Sequence, residues 1–449
     1  MGTRRKFIRN VSIGVAGLPL LTHGYNLTKP SDKIRLAIIG LGGISGMHIK
    51  GFVEHDDVDI VAICDVNQLM IKDKLTLLQK LRPGTKVDTY TDFRHILDRK
   101  DIDAVSIATP DHWHALIAIM AFESGKDVYG EKPLSHNVKE GQEMLRSLQR
   151  NKNVFQMNNF IHSSETFLRV AEIIQSGVLG KINTVRLWKS EQSIGLGYPT
   201  LKAPPQTFDW DMWLGPAPYE PYSEPRSSWT WRLFYDYGSG VFGDFWCHIA
   251  DVAYMSLNPK GLNEIVVHGE RRTNGIAETP YWVDAELKYD ELDLLWTTEP
   301  PNVPGADKTK YGIGAYFEGE HGTLLCDYFS KTIQIGNEIF SDLSEIPQTL
   351  KRSPGIEKSL KGRPEDDWNL ILVPHQRDFF NGMKSREQPK SNLQYSRELT
   401  LPMHLALISF RLKRKLSWDS QKELFINDPA ANALLSRTYR KPWSLSQSE

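Results

Sequence analysis

Asp244 and His248 stand four residues apart within the stretch from Tyr237 to Asp251, a spacing that puts both on one face if the stretch is helical. An aspartate so placed can orient an imidazole and support its cation. That suits a base taking a hydroxyl proton while hydride leaves the same carbon. Ordinary surface pairs and helix caps use the same spacing, so it decides nothing alone. A second cluster lies earlier, where the apolar run at 34–39 leads into Gly40-Leu41-Gly42-Gly43-Ile44-Ser45-Gly46. After a strand, the first glycine of such a loop permits a tight turn and the second lets the backbone approach a pyrophosphate. The following helix N-terminus favours the phosphate charge. Ser45 holds the third glycine position, and Gly46 comes one residue late.

These residues need a frame to position them. The apolar run at 59–63 ends in Cys64-Asp65, which sets a carboxylate about 20 to 25 residues past the glycines, as a ribose contact requires. It would accept hydrogen bonds from a ribose diol and repel a 2′-phosphate, favouring NAD over NADP. A helix cap or turn residue is the alternative for Asp65. Strand-like runs at 104–107, 127–129 and 154–157 alternate with helical ones at about 113–123 and 138–150. This predicts an α/β doubly wound parallel sheet, a Rossmann domain, with ligands at the carboxyl ends of its strands. Two clusters fall at those ends: Thr109-Pro110-Asp111-His112-Trp113-His114 and Glu131-Lys132-Pro133. Lys132 is either a solvated lysine after a strand or a directed one; the proline behind it fixes the backbone and favours the second reading. His112, as a histidine in a turn, is expected to be exposed and is left out of the site.

The segments 107–115 and 125–134, with Glu-Lys-Pro at their end, resemble the glucose-fructose oxidoreductase and inositol dehydrogenase family, Gfo/Idh/MocA. The resemblance implies that Thr109, His114 and Glu131 contact the cofactor, with Trp113 in the same turn, and that Lys132 lies beside the nicotinamide and the reacting carbinol. Asn158 follows the last strand, where the family often places a polar cofactor contact. The likeness extends to the later half, where alternating stretches at 264–267, 282–289 and 293–297 read as a mostly antiparallel sheet. That half resembles the family's α+β substrate domain. The expected division is 1–30 signal and linker, 31–157 NAD-binding domain, 158–449 substrate domain. Family members carry Asp-x-x-x-His as an acid/base pair facing the lysine, which maps onto Asp244 and His248. Asp251 fits the family's next carboxylate, as helix support or substrate contact. Arg232 offers a donor fork to a hydroxyl or phosphate, or makes a surface ion pair. Trp231 beside it offers a flat face to a sugar ring. The tail at 437–443 reads as packing.

Composition narrows the partner. Across 449 residues, 54 Lys and Arg balance 55 Asp and Glu for a net charge of -1, which gives no global attraction to nucleic acid or an anionic membrane. A small molecule is expected. Cys64, Cys247 and Cys326 are spaced for neither a zinc site nor a disulfide framework. Thr3-Arg4-Arg5-Lys6-Phe7-Ile8-Arg9 and the apolar run at 11–21 resemble a twin-arginine export signal too short to span a bilayer, which implies a periplasmic location. A basic tail before a buried helix is the alternative, and Leu20-Leu21-Thr22-His23-Gly24 leaves cleavage or retention open. Export of a folded protein implies a tightly held, recycled cofactor. The reading is therefore an NAD(H)-dependent oxidoreductase acting on a secondary hydroxyl of a sugar, glycoside or polyol. The family's habit of pairing sheets implies a homo-oligomer. A glycosidase working by transient oxidation and elimination ranks second, since the Tyr-Pro-Thr-His-Gly segment of such enzymes is not present. A non-catalytic NAD- or sugar-binding protein ranks third.

Overall fold

The computed structural model describes residues 33–190, 196–347 and 368–445; the export-signal reading at the amino terminus lies outside the described residues. Strands β1 (Ile34–Ile39), β2 (Val58–Cys64), β3 (Asp88–Tyr90), β4 (Ala104–Ile107), β5 (Asp127–Gly130) and β6 (Phe155–Met157) alternate with helices α1 (Ser45–Phe52), α2 (Gln68–Leu81), α3 (Arg94–Leu97), α4 (Asp111–Glu123) and α5 (Val138–Asn151). Their order is β3-β2-β1-β4-β5-β6, with every neighbouring pair parallel, the doubly wound arrangement of a Rossmann domain. Every residue of β4, β5 and β6 is buried, the polar Ser106, Asp127 and Gln156 included, because helices cover both faces of the sheet. Helix α4 starts two residues earlier than its apolar pattern suggests. Pro110 sits at its cap with extended ψ, and its missing N–H costs nothing where the first helical N–H groups have no partner. Asp111 is thereby the first helical residue.

The second half adds α6 (Glu165–Gln175), β7 (Ile182–Lys189), α7 (Trp210–Leu214), α8 (Glu224–Ser227), α9 (Gly240–Leu257), β8 (Glu264–Arg271), β9 (Pro280–Lys288), β10 (Asp293–Thr297), β11 (Ile313–Gly319), β12 (Gly322–Cys326), β13 (Lys331–Ile335) and β14 (Glu338–Phe340). It closes with α10 (Asn369–Ser385), α11 (Leu393–Leu412), β15 (Leu416–Asp419), β16 (Leu424–Phe425) and α12 (Pro429–Ala433). Among the described residues the strands form one ten-stranded sheet, β14-β13-β12-β11-β7-β10-β9-β8-β15-β16. It is antiparallel except where β10 lies parallel to β7. Val283, Ala285 and Leu287 are buried while the alternating Glu286 and Lys288 are exposed, the period-two pattern of a sheet covered on one face. Helix α9 lies on β7, β9 and β11, flanked by α6 and α11.

The structure adds something a linear division at residue 157 does not contain. Helix α10 returns to the first sheet, where Phe379 and Phe380 join Ile38, Phe52 and Tyr129 in one apolar cluster. Arg377 grips Asp57 with two bonds of 2.7 and 2.8 Å.

Candidate active site

The carboxyl ends of β1, β2, β4 and β5 open into a cavity of about 970 Å³ whose far wall is α9, β7, β11 and an irregular segment, 196–237. The glycine turn forms one end, with Gly40, Gly42, Gly43 and Ile44 on the surface. Gly40 has φ +88°, and a Cβ there would stand 2.6 Å from the backbone of Ala108, so the turn requires glycine. Nothing lies within 4 Å of where a Cβ on Gly42 or Gly43 would be, which leaves room for a ligand at that backbone. Ser45 is turned inward instead. Its hydroxyl donates to the Gly42 carbonyl at 2.7 Å, and the residue is fully buried and off the cavity surface. It braces the turn rather than reaching a cofactor.

Asp65 lines the cavity while accepting the Leu41 and Asn67 N–H groups at 2.7 Å each. Burial raises its pKa, and those two backbone bonds offset part of the rise. Thr109 also lines the cavity, with a buried Oγ1 that has no partner among the described residues. Trp113 presents its ring there and donates Nε1–H to the Trp213 carbonyl at 2.9 Å. His114 departs from expectation: its Nδ1 lies 2.8 Å from the Pro133 carbonyl and its Nε2 2.9 Å from that of Thr109, behind the cavity wall, where it ties the two loops together. His112 also differs, being 1% exposed inside α4, with its Nε2 2.9 Å from the Trp213 carbonyl. Helix α4 is buried along nearly its whole length, so a histidine there cannot reach solvent.

Glu131 is the hub of a buried network. Its Oε1 meets His48 Nε2 at 2.7 Å and accepts Asn158 Nδ2–H at 2.5 Å, while Oε2 accepts the Lys132 N–H at 3.1 Å. Burial by itself would raise the Glu131 pKa, but His48, Lys132 and Asn158 together hold the carboxylate below its ordinary value. Asn158 is held in turn by the Tyr129 hydroxyl at 2.5 Å. His48 is a site residue that the sequence reading missed; its position on α1, four residues past Ile44, was the available signal.

At the reacting end, the Lys132 ammonium donates to the Asp244 carboxylate at 2.5 Å and to its carbonyl at 2.8 Å. Arg232 Nε lies 3.2 Å from the same carboxylate oxygen, and its guanidinium covers the Trp231 ring at 4.3 Å. Burial opposes charge on Asp244, but Lys132 and Arg232 prevail and hold its pKa well below the carboxylate range. This corrects the Asp244–His248 pairing. Four-residue spacing does put both on one face of α9, yet the Asp244 carboxylate turns to two cations from other elements, and Asp244 does not itself line the cavity. His248 does line it. Burial, then the nearby Lys132, push its pKa down to about 3, and its Nδ1 is buried without a partner among the described residues. Asp251 is fully buried and bound by His162 Nδ1 at 3.1 Å and the Tyr395 hydroxyl at 2.5 Å; of its two readings, helix support is the one seen. Phe160, Phe245, Tyr311, Tyr328 and Trp368 complete an aromatic wall beside His248, and Trp229, Trp231 and Arg232 face it from 196–237.

Across this site, the description "Oxidoreductase family, NAD-binding Rossmann fold" matches residues 34–159, and "Oxidoreductase family, C-terminal alpha/beta domain" matches 166–445. The chain belongs to the Gfo/Idh/MocA oxidoreductase family. Its cofactor is NAD, and the open glycine backbone, the Asp65 carboxylate and the unpartnered Thr109 hydroxyl are the features that fit it. A "Glycosyl hydrolase family 109 protein" of Shewanella putrefaciens is 35% identical over 155 residues, 34% of this chain and 34% of that protein. This chain thus matches about a third of the length of such curated relatives. Among solved structures, an NAD-binding oxidoreductase from Klebsiella pneumoniae superposes with TM-score 0.62 at 19% identity, covering 86% of this chain and 99% of that one. A levoglucosan dehydrogenase complexed with NADH and L-sorbose gives 0.62 at 16% identity with the same coverage. The WlbA dehydrogenase from Bordetella pertussis, complexed with NADH and UDP-GlcNAcA, gives 0.61 at 17%, again covering 86% and 99%. At these identities the structural likeness is one of Gfo/Idh/MocA fold.

Proposed function

We propose that this Gfo/Idh/MocA protein oxidises a secondary hydroxyl of a sugar, glycoside or polyol and keeps its NAD bound between turnovers. The observation that carries the reading is a single cavity holding the glycine turn and Asp65 at one end and Lys132, Arg232, His248 and an aromatic wall at the other. Flat aromatic faces suit a pyranose ring, and the Arg232 and Lys132 donors suit its hydroxyls. Bound NAD+ supplies the hydride acceptor. Lys132, fixed by Asp244, polarises the carbinol oxygen and stabilises negative charge developing on it. His248, neutral at working pH, orients the hydroxyl through a hydrogen bond.

Retention of the cofactor is supported by segment 196–237, which crosses the loop after Asp65. Gln68 N–H donates to the Thr207 carbonyl at 2.9 Å and Asp209 N–H to that of Val66 at 3.0 Å; Phe208, Met212 and Trp213 line the cavity from this strap. The named sugars and sugar nucleotides of the structural neighbours support a carbohydrate substrate. The test is to denature the purified protein, measure released nucleotide, and screen sugars, levoglucosan and L-sorbose included, for reduction of the bound nicotinamide. NAD(H) near one per chain with reduction by a carbohydrate is expected; recovery of none removes the retained-cofactor claim, and reduction only by non-carbohydrate alcohols removes the substrate class.

The glycosidase reading is favoured by the similarity to glycosyl hydrolase family 109 proteins, in which redox would be transient and internal. Tyr198-Pro199-Thr200-Leu201 keeps three residues of the Tyr-Pro-Thr-His-Gly segment, but Tyr198 is 76% exposed and off the cavity. Release of a chromogenic leaving group without added cofactor would promote this reading over the first. The exposed face of the ten-stranded sheet is offered to a second copy, and a monomer mass by light scattering would remove the homo-oligomer.

A further inference from the structure

Oxidation of a carbinol releases a proton as well as a hydride, and the groups already placed are poorly suited to hold that proton. Lys132 is committed to Asp244, and burial leaves His248 with little proton affinity, its pKa near about 3. Three carboxyls converge on the reacting end. Glu131 is tied to His48, Asn158 and the Lys132 backbone, and Asp244 to Lys132 and Arg232. The third, Asp111, opens α4 directly behind Pro110, is 4% exposed and lines the cavity. Its carboxyl accepts no hydrogen bond from any described residue, although it lies close enough to feel charges on four neighbours. Those neighbours come from every side: Glu131 and Lys132 after β5, Asp244 on α9, and Arg232 from the strap.

We propose that Asp111 takes up the hydroxyl proton when the substrate is oxidised and returns it when a carbonyl is reduced. In the forward direction the substrate O–H bond breaks and its electron pair forms the second bond of the carbonyl. The C–H pair leaves as hydride to NAD+, and the proton forms a new O–H bond on the Asp111 carboxylate. Charge in the cavity is then conserved, because a carboxylate beside a cationic nicotinamide becomes a carboxylic acid beside a neutral one. In a buried site this avoids an uncompensated charge. Burial, with Asp244 and Glu131 in support and Arg232 and Lys132 opposed, pushes the carboxyl up to about 8. A cation arriving beside it must lower that value, and its neutralisation must restore it.

This inference rests on the oxidoreductase reading, but its test needs no sugar, so the two can fail separately. The full chain, saturated with NAD+ or with NADH, is titrated with pH while infrared spectroscopy follows carboxylic acid C=O bands. With NADH, a protonated carboxyl should persist above neutrality; with NAD+, its midpoint should fall by about one pH unit or more, a tenfold change in proton affinity. Asp111→Asn should lack the band in both states. Should that variant not fold, Asp111→Glu keeps the carboxyl and should move the redox-sensitive band without abolishing it. A midpoint indifferent to the nucleotide's redox state overturns the proposal, as does a redox-sensitive band unchanged in either variant. Equal loss of affinity for both nucleotides in Asp111→Asn, beside an indifferent wild-type midpoint, would make Asp111 a cofactor-holding group only.

Discussion

Lys132, Asp244 and Arg232 form a charged triad in which one carboxylate serves two cations, and its behaviour on mutation separates the roles argued above. Lys132→Ala removes the positive charge facing the developing alkoxide and should lower turnover by about two orders of magnitude or more. NAD affinity should change much less, since the ammonium is bonded to Asp244 rather than placed at the glycine turn. His248→Ala removes one hydrogen bond from a neutral imidazole and should cost only about tenfold. Asp244→Asn leaves Lys132 and Arg232 facing each other without their shared counter-charge, so its loss should exceed that of His248→Ala. Turnover of the three variants on one sugar, with nucleotide affinity measured alongside, checks the ranking. A His248→Ala loss as deep as that of Lys132→Ala would return the proton to the imidazole and away from Asp111.

Two elements hold the cofactor end, and each gives a distinct expectation. In the glycine turn, Gly40→Ala would require φ +88° of a residue with a side chain and set its Cβ 2.6 Å from the Ala108 backbone. Unfolding in urea should show a loss of more than about 1 kcal/mol, with weaker NAD binding. In the strap, Phe208 packs edge-on against Trp210 and Tyr222 at 5.8 and 6.0 Å while lining the cavity. Phe208→Ala should loosen the crossing, so that protein passed through gel filtration keeps clearly less nucleotide than the wild type. Undiminished nucleotide in that variant would show that the strap is not what retains the cofactor. The strap carries its own cluster, with Trp210 and Trp213 stacked at 4.7 Å over Phe234 and Tyr237. The tail locks it through Arg440, which bonds the Gly215 carbonyl at 2.9 Å and Asp211 at 2.5 Å.

For the molecule as a whole, buried imidazoles set the acid limit. His112, His248 and His375 are held neutral down to about 3, and His55 and His404 to about 4, burial being the main cause in each. The unfolded chain binds protons on these groups below roughly pH 6.5 while the folded chain refuses them. Stability present above that pH should therefore decline as pH falls toward 4, and thermal midpoints across this range check it; a flat profile would contradict the burial of these rings. On export, which stands as a proposal, replacing Arg4 and Arg5 together by Lys should leave the protein in the cytoplasm; normal periplasmic recovery would end the twin-arginine reading. The Rossmann half was legible because its signals are local: glycines after a strand, Asp65 after the next, apolar runs alternating with helices. Glu131-Lys132-Pro133 was legible by resemblance. Sequence by itself thus determined the fold class and the cofactor, and pointed to residues at both ends of the cavity, from Gly40 and Asp65 to Lys132 and His248. Tertiary structure decided which way Asp244 and His114 turn, that α10 returns to the first sheet, and that Asp111 faces the cavity with no hydrogen-bond partner among the described residues. Those outcomes depend on contacts between groups tens to hundreds of residues apart, such as Lys132 with Asp244 and Arg377 with Asp57, and spacing along the chain carries no record of them.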